Sequence, residues 1–174
     1  MKTVDQTIER LIEIAIDAIY DGDCHRGRAL IESAFFDEPA YPKLHSTLAW
    51  MYHYHQINMD LAQRYYLLAI HFDADYEYAW NGLIDILLTQ KRYVFLKSKL
   101  LQARKNSQLD QEFILKTLGK VAEKQGQFSE ALKYYKEALM ESTDNEDSAE
   151  LKKDVRRIRM KRFKTIIRQW QPQN

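Results

Sequence analysis

The sequence predicts an all-α chain, and three observations carry that prediction. Glycine and proline are scarce, at 5 and 3 of 174 residues, which disfavours the many tight turns of a sandwich or barrel. Apolar residues make up 45% and charged residues 29%. That balance supplies a buried core with solvated helix faces, and it excludes wholesale disorder or a simple polyelectrolyte. A set of small and large residues also recurs in one register along the chain.

The elements follow in order from that register. In a first unit, residues 8–41, Leu11, Ile14, Ala15, Ala18, Gly22, Cys24, Gly27, Ile31, Ala34 and Pro39 stand at unit positions 4, 7, 8, 11, 15, 17, 20, 24, 27 and 32. The spacing predicts two helices with a turn at Gly22. The second unit, residues 42–76, opens on Pro42, which suits a first helical turn. It repeats the pattern through Leu48, Ala49, Tyr52, Ala62, Tyr66 and Ala69, with a turn around Gln56 to Asn58 that is one residue longer than its counterparts. The third unit, residues 77–111, keeps Trp80, Leu83, Tyr93, Leu100 and Ala103. It places Ile84 and Leu96 where small residues stand in the other units, so a looser helix pair is expected there. Its join to the fourth unit carries one extra residue. The fourth unit, residues 112–145, is the clearest: Leu118, Gly119, Ala122, Gly126, Phe128, Ala131, Tyr135 and Ala138 fall at positions 7, 8, 11, 15, 17, 20, 24 and 27.

The remaining segment, residues 146–174, reads as one long basic amphipathic helix, with Asp147 or Ser148 as its expected cap. Leu151, Val155 and Ile158 form one apolar set. Phe163, Ile166, Ile167 and Trp170 form a second, rotated around the helix from the first. Such a helix bends or meets two different surfaces. Its last four residues, 171–174, are expected to fray.

The Leu-Gly, Ala, Phe, Ala pattern of the fourth unit, repeated more loosely in the others, resembles the tetratricopeptide repeat, a helix-turn-helix unit of 34 residues. Small residues at positions 8, 20 and 27 let two helices approach, and large ones at 4, 7, 11, 17 and 24 fill the space between them. The resemblance implies a right-handed superhelix (an alpha-alpha solenoid) of four repeats over residues 1–145, closed by residues 146–174 as a capping helix. The length and repeat content are also similar, in architecture only, to the small tetratricopeptide chaperones of bacterial type III secretion.

The resemblance further implies a concave groove lined by the first helix of each repeat, where peptides or partner helices bind. Its expected lining is Ile12, Ile16 and Tyr20 from the first unit, and Trp50, His53 and Tyr54 from the second. The third contributes Tyr78, Asn81 and Asp85, and the fourth Phe113, Lys116, Lys120 and Lys124. An apolar, aromatic groove turning basic suits a partner segment with apolar anchors and an acidic flank. Ile12 and Ile16 stand where a chaperone-carboxylate clamp of this family carries Lys and Asn, so that clamp is not expected. Function is accordingly read as a non-catalytic protein–protein interaction module: an adaptor, a scaffold or a chaperone.

The net charge of +1 hides an uneven layout. From Glu150 onward nine Lys and Arg face two acids, +7 in all, which leaves 17 basic and 23 acidic residues, −6, for residues 1–149. Lys152, Arg156, Arg157, Arg159 and Arg162 belong to this basic helix. An alternative function follows from it, regulatory binding of nucleic acid or an acidic surface. Nucleic acid is the weaker candidate, since the helix offers few aromatic platforms for bases. The partner is a protein or peptide whose identity the sequence does not give, and pairing with a second copy stays open.

Signals for chemistry are sparse. There is no Gly-rich phosphate loop and no G-x-S-x-G element, so no catalytic residue and no cofactor are assigned. His53 and His55 sit two apart on a helix and point about 200° from each other, poor geometry for a shared metal. The single cysteine, Cys24, forms no intramolecular disulfide and is expected to act as a small buried hydrophobe. Leu11 to Tyr20 is interrupted by Glu13 and Asp17, unlike an export signal, and no run approaches the ~20 apolar residues of a membrane span. The chain is read as soluble and cytoplasmic.

Overall fold

The computed structural model describes residues 4–106 and 109–170. Among them are nine α-helices and no strand. The helices are α1 (Val4–Tyr20), α2 (Cys24–Ala34), α3 (Pro42–Trp50), α4 (Met59–Phe72), α5 (Glu77–Thr89), α6 (Tyr93–Asn106), α7 (Gln111–Lys124), α8 (Phe128–Glu141) and α9 (Asn145–Trp170). The expected fraying of 171–174 lies outside the described residues, as does part of the join between the third and fourth units.

Helix ends follow local chemistry. Asp23 accepts a hydrogen bond from the Arg26 amide at 2.9 Å to start α2. Asn58 caps α4 through the Leu61 amide at 3.1 Å, and Asp110 caps α7 through Glu112 at 3.0 Å. Each carboxylate or amide satisfies a donor that the first helical turn leaves unpaired. Pro42 opens α3. The cap of α9 differs from the expected Asp147 or Ser148: Asp144 accepts from the amides of Glu146 and Asp147 at 2.6 and 3.3 Å. Gly22 and Gly126 occupy two of the inter-helix turns at φ +89° and +74°, a conformation that a Cβ disfavours.

The chain forms two compact units, residues 1–90 and 91–174. The division runs between α5 and α6, the two helices of the third repeat. In the first unit α1 pairs with α2 and α3 with α4, and α5 packs on α4. Its core holds Ile8, Ile12, Ile19, Ile31, Leu44, Leu48, Met51, Leu83, Ile86 and Leu87, each 1% exposed or less. Trp80 is also buried, and its indole N–H donates to the Ala74 carbonyl at 2.9 Å. Cys24 differs from the expectation in being only partly buried, at the first position of α2.

In the second unit α7 and α8 form the tightest helix pair. Gly119 permits this approach: a Cβ there would lie 2.9 Å from the Tyr135 ring. Helix α9 then packs on α8, with Leu151, Val155 and Ile158 buried. Of its second apolar set, Phe163, Ile166 and Ile167 are exposed, as is Met160 before them, and the side chain of Trp170 lies outside the described residues.

The longer turn expected at Gln56 to Asn58 has an unexpected form. Met51–His55 continue α3 as a π-helical turn, closed by the Gln56 amide donating to the Met51 carbonyl at 3.0 Å, an i to i−5 bond. The extra residue is taken up inside the helix, as a π-bulge does. Ile57 then takes a positive φ of 50°.

Candidate functional site: an aromatic groove in the first unit

The groove begins with α3. Lys43, Ser46, Thr47 and Trp50 recur at helical spacing and therefore share one face. Ile16 of α1 closes one side, and Tyr78, Asn81 and Gly82 of α5 close the other. Tyr54, Tyr66 and Tyr76 complete a cavity of about 540 Å³. Tyr54 and Tyr78 are mostly exposed at its mouth, at 55% and 77%. Tyr66 is buried, and that burial holds its hydroxyl well above the usual tyrosine range. The cavity is therefore apolar and aromatic inside, with a few polar groups at its rim, the usual make-up of a recognition site.

The rim is ordered by specific contacts. Tyr20 lies 5.1 Å from Trp50 between ring centroids, and His55 stands 4.6 Å from Trp50. The Tyr54 hydroxyl donates to Asp85 at 3.2 Å, and its ring stacks on His53 at 4.0 Å. Lys43 and Tyr41 both donate to Glu9. Partial burial opposes ionisation of Glu9, but these two donors outweigh it and hold the carboxyl below its ordinary range. Lys43 is thus neutralised by Glu9, whereas Glu13, Asp17 and Asp85 remain exposed. Glu13 is one helical turn from Ile16, so a carboxylate borders the groove on the α1 side.

The expected lining residues do not all reach this groove. Ile16, Trp50, Tyr54, Tyr78 and Asn81 line it, with Tyr20 and Asp85 at its edges. Ile12 is corrected: it is fully buried and belongs to the core. His53 is likewise buried, at 6% exposed, because the π-helical turn shifts the helical phase beyond Trp50. Desolvation lowers the His53 pKa from its ordinary value, against the pull of Asp85, whose carboxylate lies 3.6 Å from Nε2. Tyr66 and Tyr76 were not anticipated as lining residues. Tyr66 stands at a repeat position of the second unit, where it reads as a packing residue between helices, and Tyr76 is the last residue of that unit. Among the described residues no three His, Cys, Asp or Glu side chains gather as a metal cluster.

The basic positions of the fourth repeat lie in the second unit and serve a different purpose. Lys116 pairs with Glu150 at 2.5 Å and Asp147 at 3.9 Å, both on α9. Glu123 of α7 accepts from Lys161 at 2.7 Å and from Arg157. Side chains of α9 therefore engage Lys116, one of the α7 residues that the resemblance assigned to partner binding, and Glu123 on the same helix. Lys116 is engaged within the chain rather than free to steer an acidic partner. Phe113 is half-buried, and Lys120 and Lys124 stay exposed. On α9, Lys152, Arg156, Arg159 and Arg162 are exposed, and Arg157 bridges Glu123 and Asp154.

Comparison with known proteins agrees with this geometry. Residues 113–145 match the tetratricopeptide repeat family. No curated protein matches the chain in sequence. Among solved structures, PilF of Pseudomonas aeruginosa aligns over 99% of this chain and 80% of its own, at 20% identity and a TM-score of 0.65. Yeast Tom70 aligns over 89% of this chain at 16% identity and a TM-score of 0.71, the match spanning 33% of Tom70. PilW, a type IV pilus biogenesis factor, aligns over 90% of this chain and 76% of its own, at 21% identity and a TM-score of 0.60. At such identities the likeness establishes the fold.

Proposed function

The chain is a tetratricopeptide-repeat protein, and from that premise we propose that it works as a non-catalytic adaptor, scaffold or chaperone whose first unit holds a segment of a partner protein in the aromatic groove. The observation that carries this reading is the groove itself. Trp50, Tyr54 and Tyr78 present large, semi-rigid surfaces around a cavity of about 540 Å³, and such aromatic anchors dominate the energetics of protein recognition. Tyr66 and Gly82 supply an apolar floor.

The chemistry of the partner differs from the sequence expectation. The α7 cations expected to meet an acidic flank belong to the second unit, and one of them, Lys116, is paired with Glu150. The first unit instead holds 6 Lys and Arg against 14 Asp and Glu, a net −8. A segment with apolar anchors and basic neighbours suits it, with the charges raising the encounter rate and the anchors supplying affinity. One structural neighbour, PilW, is by description a type IV pilus biogenesis factor, and assembly of a multi-protein surface machine is one setting in which such a scaffold would act.

The full chain, immobilised and exposed to native extract, tests the reading. Proteins retained by the wild type and lost from a Tyr54→Ala/Tyr78→Ala variant support it. If every retained protein binds the variant equally, the groove is not the docking site. The alternative, an acidic surface or nucleic acid bound by α9, draws on the exposed Lys152, Arg156, Arg159 and Arg162. It predicts losses in an Arg156→Glu/Arg159→Glu variant instead.

A further inference from the structure

The two units of this chain carry opposite charge. Against the −8 of residues 1–90, residues 91–174 hold 20 basic and 11 acidic residues, a net +9. The contrast is sharpest at α9, where residues 155–170 contain seven Lys and Arg and no acid at all. Two of these, Arg157 and Lys161, are spent on Glu123. Arg156, Arg159, Arg162, Lys164 and Arg168 are exposed.

The same stretch carries an apolar face that the described residues of its own unit leave about half exposed. Met160, Phe163, Ile166 and Ile167 are 53%, 58%, 42% and 41% exposed. They recur at i, i+3, i+6 and i+7 and so lie within one broad stripe. The first half of α9 spends its apolar residues on α8. The second half continues as an amphipathic basic helix with its apolar stripe in solvent. Its features, apolar anchors interleaved with cations and free of acids, are those of the segment that the aromatic, acidic first unit is suited to hold.

We propose that the distal half of α9 docks in the aromatic groove of a second copy of this chain, head to tail. The proposal rests on the reading of that groove as a docking site and names one occupant for it. Phe163 and Ile167 would enter between Trp50 and Tyr78, and Arg159 and Arg162 would face Glu13, Asp17 and Asp85. A single such contact leaves the other groove and the other helix of the pair free, either to close on each other in a reciprocal dimer or to extend to a ring or a filament. An external partner with a similar basic amphipathic helix would compete with the chain's own α9 for the groove.

Sedimentation equilibrium of the full chain over a concentration series, at low and high salt, tests this. The wild type is expected to gain mass with concentration, less so at high salt, because exposed charges are screened. Phe163→Glu on α9 and Tyr78→Arg in the groove alter exposed side chains, so both variants should keep the wild-type helix content. Each alone should stay monomeric. An equimolar mixture of the two should form a heterodimer and stop there, since the pair has one intact groove and one intact helix. A wild type that is monomeric at every concentration overturns the proposal, while the extract experiment still decides the groove reading separately. Self-association lost in Phe163→Glu but kept in Tyr78→Arg also overturns it, because the helices would then be pairing with each other.

Discussion

The ring of Tyr66 lies directly against Gly82, so that a Cβ at residue 82 would fall 2.1 Å from Tyr66 Cζ and 2.5 Å from both Cε atoms. Gly82 stands in the middle of α5, where glycine costs about 1 kcal/mol relative to alanine. Gly82→Ala would recover that propensity, yet three ring atoms of a buried tyrosine would have to give way, Cζ by about an ångström and both Cε atoms by roughly half of that or more. Overpacking of this kind costs about 1–3 kcal/mol, so the net change is expected to be destabilising. The displaced ring would also deform the groove floor. Urea unfolding of Gly82→Ala, alone and with Tyr66→Leu, checks the cause: in the Leu background, which lacks Cζ, the penalty should shrink.

Core and groove should separate cleanly in stability. Ile12 is fully buried, and truncating a buried Ile to Ala costs about 2–5 kcal/mol through lost transfer energy and an unfilled cavity. Tyr78 is 77% exposed, so Tyr78→Ala should stay within about 0.5 kcal/mol of wild type. Thermal melts of the two variants test this. A large loss in Tyr78→Ala would mean that the tyrosine is structural and that the groove mouth is not free.

These two residues also show what the sequence did and did not reveal. The repeat register located the helices, because small residues at crossings and large ones between them are demanded by packing and recur. It located the groove less well. Ile12 and Ile16 are one turn apart and both apolar, and only the tilt of α1 against its neighbours decides which of them is core. His53 was misplaced because the register assumed a regular helix beyond Trp50, and a π-helical turn carries no residue signature. The pairing of Lys116 with Glu150 joins residues 34 apart in sequence, and the charge counts alone gave no hint of which cation would be engaged. Gly82 fitted no repeat position, and its reason became visible only with the Tyr66 ring beside it.

Mild acid should weaken the first unit through its two buried histidines. His45 and His53 are both buried, and desolvation lowers each below its ordinary value of 6.5, despite the Pro39 carbonyl bonded to His45 and Asp85 beside His53. Above about pH 6.5 both histidines are neutral whether folded or not, and they cost nothing. Below it the unfolded chain takes up protons that the folded chain refuses, so stability falls as pH drops through that value. Melting temperature measured from pH 7.5 to 5.5 should decline, and a His45→Gln/His53→Gln variant should show a flatter profile over the same range.

At lower pH the second unit should lose its hold on α9. Glu123 is partly buried, which disfavours its charge, but Lys161 and Arg157 outweigh that cost and hold the carboxyl below its ordinary value of 4.5. Glu150 is likewise lowered, by Lys116. A carboxylate lowered by folding contributes stability that is complete above about 4.5 and is lost as pH falls through the folded value. Protonation of Glu123 therefore leaves Lys161 without its counter-charge and Arg157 with Asp154 alone. Glu123→Gln mimics that state at neutral pH. Because both cations are largely exposed, the pairing contributes on the order of 1 kcal/mol, enough to loosen the helix without unfolding α7 and α8. Amide hydrogen exchange in residues 155–168 should therefore accelerate several-fold in Glu123→Gln, and high salt should accelerate it in the wild type, while amides in α8 remain protected. Equal exchange in wild type and variant would show that Leu151, Val155 and Ile158 hold α9 by packing alone.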